Sequence, residues 1–205
     1  MHYEALTDEG KQLFPSLLKF DGFYFAGGTA LALQIGHRIS VDFDLFSSED
    51  IDKSLLQKVK RVFEDFTVSL SINNLNELTV FVQNVKITFL KYPFPLMKDF
   101  VSLDGIPALS VVEIAATKAY AIGRRGTYKD YVDLYFIISE GHSSLKEIID
   151  LADKKFDSEF NSRLFLEQLI FMDDIDDIEV KLLKNAVSKE IILDFFTQQA
   201  RDFSL

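Results

Sequence analysis

The chain contains no cysteine, so disulfide bonds and thiolate metal sites are excluded. Its three histidines, His2, His37 and His142, form no pair at the spacing of a metal site, which argues against a histidine-based metal centre. No apolar run approaches the roughly 18 residues of a membrane-spanning helix. Residues 1–5 lack the basic segment and apolar run of a secretory signal. We therefore expect a soluble, cytoplasmic protein with no membrane partner.

Basic residues are also scarce, because 22 Lys and Arg stand against 32 Asp and Glu and leave a net charge of −10. Proteins that coat nucleic acid are normally basic, so the charge argues against that class, although a local basic patch could still bind RNA. The chain is 48% hydrophobic with 20 Phe, which indicates a globular protein. Its 205 residues can form one large domain or two small ones.

The sequence has no Walker-type phosphate loop and no arguable Ser-His-Asp set. It has instead a glycine pair, Gly27-Gly28, that opens a short apolar helix over 29–35, and beyond a basic turn the two aspartates Asp42 and Asp44. Residues i and i+2 of a strand face the same way, so we expect the two carboxylates to lie side by side. The opposite face of that strand would carry the apolar residues Val41, Phe43 and Leu45. Two oxygen ligands facing a helix N-terminus predict a site for Mg²⁺ and a polyphosphate.

Each part alone has a plainer explanation, since Gly-Gly is usually a turn and Asp-x-Asp a solvated strand edge. The combination resembles the polymerase-β-like nucleotidyltransferase superfamily. Within it, residues 27–33 (GGTALAL), 37–40 (HRIS) and 42–46 (DFDLF) resemble the AbiEii/AbiGii toxin family of type IV toxin–antitoxin and phage-abortive systems.

A second match lies further along the chain. Lys118 and Arg125 are followed by residues 129–134 (KDYVDL), which resemble the lysine helix and the basic-Asp-x-x-Asp-Leu segment of the same family. Together the two matches span roughly residues 25–137. In the last third of the chain we identify no motif of a known family.

The resemblance implies an enzyme that moves a nucleoside monophosphate from an NTP to an acceptor hydroxyl, with Mg²⁺ held by Asp42 and Asp44. The residues implied to contact the NTP are Gly27, Gly28, Thr29, Arg38, Ser40 and Arg125. The implied catalytic set is Asp42, Asp44, Lys118 and Asp130. In it Lys118 neutralises phosphate charge, while Asp130 orients Lys118 or acts as a base.

One position departs from the superfamily pattern. Thr88 stands where many members carry a third carboxylate, and a hydroxyl cannot serve as an anionic ligand or general base. The base could then be Asp130 or come from the metal, two carboxylates could suffice, or activity could be weakened. Glu77 is a possible stand-in, although nothing in its spacing favours it.

The periodicity of the first half predicts mixed α/β structure. The predicted helices cover 7–19 and 29–35 and begin again at Asp52, and the predicted strands cover 23–25, 41–46, 68–72, 78–83 and 85–91. The prolines at 93 and 95 are expected to end the sheet.

The second half is predicted to be helical. A capping-box pattern at 110–113 starts a helix that runs towards residue 125, and further helices are expected near 128–140, 144–155, 158–172, 177–186 and 188–202. The predicted fold class is α+β, a nucleotidyltransferase-like mixed sheet with flanking helices, followed by a helical C-terminal half. We place the boundary between domains 1–105 and 106–205, the second completing the active-site cleft.

By resemblance, the acceptor is the 3′ end of tRNA and an antitoxin is encoded nearby. Two alternatives remain open. The first is a small-molecule nucleotidyltransferase of the antibiotic-modifying kind, which the acidic charge favours. The second is a catalytically degenerate nucleotide-binding module, to which Thr88 points.

Overall fold

The computed structural model describes residues 1–176, 179–201 and 203, apart from the side chain of Arg125. The chain forms two compact units. The first comprises Met1–Phe94 and Asp99–Leu109, and the second comprises Pro95–Lys98 and Ser110–Leu205. The first unit extends beyond residue 105, because Ile106–Ala108 is a strand that pairs within it.

A seven-stranded mixed sheet forms the centre of the first unit. Its strands are β1 (Tyr24–Ala26), β2 (Phe43–Ser47), β3 (Val68–Asn73), β4 (Glu77–Val82), β5 (Val85–Lys91), β6 (Val101–Leu103) and β7 (Ile106–Ala108). Their order is β3-β4-β5-β2-β1-β7-β6. The central strand β2 runs antiparallel to β1 and parallel to β5. The prediction that the sheet ends at the prolines is wrong, since β6 and β7 form a hairpin whose second strand pairs with β1.

Three α-helices belong to this unit: α1 (Asp8–Leu13), which a 3₁₀ turn at Phe14–Lys19 continues, α2 (Gly27–Ile35) and α3 (Leu55–Val62). The alternation along β2 buries Phe43 and Leu45 on the core side, where Phe14 and Phe25 pack against Phe43 with ring centroids 6.2 and 5.7 Å away. The burial of each phenylalanine side chain contributes about 1.5–3 kcal/mol to the stability of the fold. Val41 was also predicted on this face, but it is exposed because β2 begins only at Phe43.

The second unit is helical, as predicted. Its helices are α4 (Val111–Arg125), α5 (Tyr128–Ser139), α6 (Leu145–Phe156), α7 (Ser162–Leu169) and α8 (Lys189–Arg201). Residues 177 and 178 of the predicted helix 177–186 lie outside the described residues, and 179–186 are not helical. Val180 and Leu182 are half-buried there while Lys181 and Leu183 are exposed, an alternation with the period of two that extended backbone gives. Among the described residues, no helix is both long and apolar enough to cross a membrane.

The start of α4 differs in detail from its capping-box prediction. Ser110 is the N-cap residue, but its side chain does not cap the helix. The fully buried carboxylate of Glu113 instead accepts hydrogen bonds from the backbone N–H groups of Met97 and Lys98, at 2.5 and 2.8 Å, and from the ammonium of Lys155 at 2.6 Å. Glu113 thereby anchors the segment Pro95–Lys98 to the helical unit.

Candidate active site

Gly27 forms the junction between β1 and α2. Its φ of +71° lies in the left-handed region that favours glycine. A Cβ at this position would overlap the carboxylate of Asp44, which is paired with Ala26 across β1 and β2. The absence of a side chain at Gly27 therefore allows Asp44 to lie against the N-terminus of α2, whose second residue is Gly28.

The two aspartates lie at the start of β2. Asp44 is on the sheet face opposite Phe43 and Leu45, and Asp42 directly precedes the strand. Both side chains are partly accessible, since Asp42 and Asp44 are each half-buried. Carboxylate oxygens of this kind are the ligands that Mg²⁺ prefers. In the part of the chain that the structure describes, no group of three or more His, Cys, Asp or Glu side chains is placed to hold a metal ion.

Thr29 and Ser40 tie the turn before β2 to α2. Both are buried, and their hydroxyl oxygens are 2.7 Å apart. The Thr29 hydroxyl also hydrogen-bonds the backbone carbonyl of Asp42. These contacts position the backbone of Asp42, and a direct contact of either hydroxyl with a phosphate stays a prediction.

Arg38 lies in the same turn and is only 3% exposed. Its guanidinium donates a hydrogen bond of 3.2 Å from Nη1 to the carbonyl of Ile39. A buried guanidinium is retained only where its charge is compensated, so Arg38 is part of the packed turn. Its contact with a phosphate or a base also stays a prediction.

Thr88 occupies the position on β5 that is paired with Asp44 on β2. Its hydroxyl is 3.4 Å from that of Thr79 on β4, which in turn donates a 2.6 Å hydrogen bond to the carboxylate of Glu77. Glu77 thus lies on the second strand from β2 and interacts with Thr79. The position beside Asp44 is therefore filled by a neutral hydroxyl.

The helical unit holds a second group of the sequence-predicted residues. The ammonium of Lys118, on α4, lies 2.9 Å from Asp130 and 2.6 Å from Asp133, both on α5. The other carboxylate oxygen of Asp130 accepts from the backbone N–H and the hydroxyl of Thr127, at 3.0 and 2.9 Å. Asp130 therefore caps α5 and also orients Lys118. Arg125 is the last residue of α4, and its side chain is outside the described residues.

The sequence analysis included Asp133 in the Asp-x-x-Asp-Leu segment but gave it no role in the site. Its carboxylate is fully buried and holds Lys118 more closely than Asp130 does. The available signal was its spacing of three from Asp130, which places both on one helix face, together with its apolar neighbours Val132 and Leu134. An aspartate among buried apolar residues needs a charged partner.

Tyr131, next to Asp130 on α5, is fully buried and donates a 3.0 Å hydrogen bond to the carbonyl of Gln168. Burial, and to a lesser extent the carboxylates of Asp174 and Asp130, raises the pKa of Tyr131 to about 12. The phenol is therefore neutral at physiological pH and acts as a hydrogen-bond donor between α5 and the end of α7.

Comparison with known sequences identifies relatives over almost the whole chain. The family described as the AbiEii nucleotidyl transferase toxin of type IV toxin–antitoxin systems matches residues 12–203. An uncharacterised protein of Aquifex aeolicus is 30% identical over 164 residues, which cover 74% of each of the two chains.

Solved structures share the fold at low identity. MenT4, a nucleotidyltransferase toxin from Mycobacterium tuberculosis, superposes with a TM-score of 0.58 at 15% identity over 89% of this chain and 76% of its own. JHP933 from Helicobacter pylori gives 0.52 at 16% identity over 96% and 97%. The antibiotic-resistance factor ANT(2″)-Ia gives 0.51 at 12% identity over 72% and 92%. These likenesses confirm the predicted nucleotidyltransferase-like fold.

Proposed function

The chain belongs to the AbiEii nucleotidyltransferase toxin family of type IV toxin–antitoxin systems and is a nucleotidyltransferase, and on that premise we propose a Mg²⁺-dependent transfer of a nucleoside monophosphate from an NTP to an acceptor hydroxyl. The acceptor oxygen forms a bond to the α-phosphorus, the bond to the bridging oxygen breaks, and pyrophosphate leaves with the electron pair. The observation that carries the proposal is the contact of Asp44 with the glycine-opened end of α2.

The metal would be held by Asp42 and Asp44. Both are partly accessible carboxylates, and the backbone carbonyl of Asp42 accepts a hydrogen bond from the Thr29 hydroxyl, which also contacts Ser40. Hard oxygen donors of this kind fit Mg²⁺. When bound, the ion supplies positive charge to the polyphosphate.

The triphosphate would lie at the start of α2. The first N–H groups of a helix have no partner within the helix, so they bind anions readily. Because neither Gly27 nor Gly28 has a side chain, a phosphate can approach this backbone closely. Arg38, in the turn before β2, is proposed to contribute positive charge to the same site.

Lys118, Asp130 and Arg125 are proposed to serve the same transfer. Asp130 and Asp133 hold the Lys118 ammonium in one position, which is what a preorganised cation requires. Arg125 is proposed as an NTP contact. Under this proposal Asp130 orients Lys118, and the acceptor proton passes to solvent.

Family membership implies an NTP substrate and an antitoxin partner. We propose the 3′ end of tRNA as the acceptor and toxicity, including abortive infection, as the consequence of its modification. The alternative is a small hydroxylated acceptor, which the net charge of −10 favours because an acidic chain attracts RNA weakly.

The deciding experiment incubates the purified protein with Mg²⁺, total tRNA and each α-labelled NTP in turn. We expect label on the tRNA 3′ end with one NTP, and no label with the Asp42→Asn/Asp44→Asn double variant. Label on a small acceptor in a cell extract would support the alternative. NTP binding without transfer to any acceptor would instead indicate a non-catalytic nucleotide-binding module.

A further inference from the structure

Lys86 lies beside the candidate metal ligands, although no motif pointed to it. Its ammonium nitrogen is 3.6 Å from Oδ2 of Asp42, and the two side chains are 39% and 40% exposed. As a surface ion pair this contact would contribute only about 0.2–1 kcal/mol to stability. Its position, however, places a fixed positive charge within the site.

The register of the sheet explains how Lys86 comes to be there. Along β5 the core side is occupied by the buried residues Val85, Ile87 and Phe89, so Lys86 and Thr88 share the other face. Thr88 is paired with Asp44 on the parallel strand β2. Lys86 precedes Thr88 by two residues, as Asp42 precedes Asp44. The site where β2 lies beside β5 therefore contains two carboxylates, one hydroxyl and one ammonium.

This arrangement is poorly suited to two divalent ions. Two-metal sites hold their ions about 3.5–4 Å apart. The two ions carry four positive charges, which the carboxylates of the site and the phosphates of the substrate must neutralise. Here the third-carboxylate position is Thr88, and the described residues contain no cluster of three or more metal-ligating side chains. A second ion near Asp42 would also be repelled by the Lys86 ammonium.

We propose that the Lys86 ammonium takes the place of a second metal ion, so that this nucleotidyltransferase works with a single divalent cation. The inference rests on the proposed function. The Lys86 ammonium donates a hydrogen bond to a non-bridging oxygen of the α-phosphate as the acceptor oxygen attacks and pyrophosphate departs. The acceptor proton goes to solvent, and no carboxylate at position 88 is required.

The first test separates binding from chemistry. Lys86→Met retains the aliphatic stem and removes the charge, so we expect kcat to fall on the order of 10²–10³-fold, as for the loss of one strong electrostatic donor, while the NTP KM changes little. Lys86→Arg should restore part of the lost rate. The matched control is Lys91→Met, since Lys91 lies on the same strand, is 36% exposed and pairs with Asp50 at 2.6 Å. It should keep the wild-type kcat.

The second test counts metal ions independently of activity. Protein-bound Mn²⁺ is measured by electron paramagnetic resonance with the α,β-methylene analogues of the four NTPs. We expect one Mn²⁺ per wild-type chain and two per Lys86→Met/Thr88→Asp chain, because that variant exchanges a cation for a carboxylate. Thermal unfolding verifies that each variant is folded.

Two Mn²⁺ ions on the wild type, or a Lys86→Met enzyme as active as Lys91→Met, would overturn the inference while leaving the proposed transfer intact. A wild-type protein that binds one Mn²⁺ with nucleotide but transfers nothing would overturn the proposed function, and the rise to two ions in the double variant would still support the role of Lys86. A wild type that binds no Mn²⁺ would contradict both.

Discussion

The carboxylate of Asp133 holds the ammonium of Lys118 at 2.6 Å, and the two side chains are 0% and 9% exposed. An ion pair this deeply buried must remain paired, because an unmatched charge in the interior is strongly destabilising. The pair therefore links α4 to α5 whatever it contributes to chemistry.

Replacing Asp133 should show this structural role. We expect Asp133→Ala to lower the free energy of unfolding by about 3–5 kcal/mol, the cost of leaving a buried partner without its counter-charge. The measured loss should not exceed this range, because Asp130 still pairs with Lys118 in the variant. The measurement is urea unfolding followed by circular dichroism. Asp150→Ala is the control, because its pair with Lys146 is exposed and should be worth less than about 0.5 kcal/mol. Equal losses in the two variants would rule out the structural role.

Replacing Lys118 should affect the reaction as well as the fold. Lys118→Met is expected to reduce kcat on the order of 10²–10³-fold if the ammonium stabilises transition-state charge. Asp133→Asn offers a comparison that perturbs the same buried cluster and keeps the cation, so its loss of activity should be much smaller. Steady-state kinetics with varied NTP, at a temperature where both variants are folded, distinguishes them. Equal rates in the two variants would leave Lys118 with a purely structural function.

Gly27 combines two requirements that can be measured separately. Gly27→Ala should lower stability by about 1–2 kcal/mol through its left-handed backbone alone, and the overlap with Asp44 should add to that loss and displace the carboxylate. Gly22 is the control, since its φ is +83° and a Cβ there would meet nothing within 4 Å. We expect Gly22→Ala to show only the backbone cost and to keep full activity. Denaturant unfolding measures the stability of each variant, and the transfer assay measures its activity.

The metal ligands should matter for activity and little for the apo fold. Asp42→Asn and Asp44→Asn are each expected to abolish transfer and to remove the rise in melting temperature that NTP and Mg²⁺ give the wild type. Their own melting temperatures should stay near that of the wild type, because each loses a charge from a partly accessible site. Asp50→Asn, an exposed aspartate that pairs with Lys91, should keep both properties. Turnover at the wild-type rate in either site variant would remove that residue from the site.

The buried phenol of Tyr131 should make stability fall at high pH. Its pKa is about 12 when folded and near 10 when unfolded, so the folded chain holds the proton more tightly. The stabilisation is complete below pH 10 and is lost as the pH rises towards 12, by about 2–3 kcal/mol in total. Unfolding free energies measured between pH 9 and 12 should fall less steeply in Tyr131→Phe, whereas exposed Tyr3→Phe should follow the wild type.

Features that depend on neighbouring residues were predictable from the sequence. The glycine-opened helix, the aspartates after it and the strands β3 to β5 lie within two residues of their predicted positions, because each is encoded by a local period or turn. The family resemblance, carried by motifs within residues 25–137, was confirmed, and the family match extends to residues 12–203, which include the last third where no motif was identified.

Features that depend on distant partners were not predictable. The strands β6 and β7 have three residues each, too few for a periodic signal, and Pro107 argues against a strand. Glu113 fits a capping box locally, but its partner Lys155 lies 42 residues away. The same holds for Lys86 and Asp42, whose contact depends on the pairing of β2 with β5.

The anchoring of Pro95–Lys98 by Glu113 has a consequence for how this protein can be divided or recombined. The chain leaves the first unit at residue 95, returns at 99 and leaves again at 110, so no single cut yields two complete fragments. A fragment that ends at Leu109 would carry Met97 and Lys98 without their carboxylate acceptor. A chimera that exchanges the helical unit between relatives must therefore take residues 95–98 from the same parent as Glu113 and Lys155.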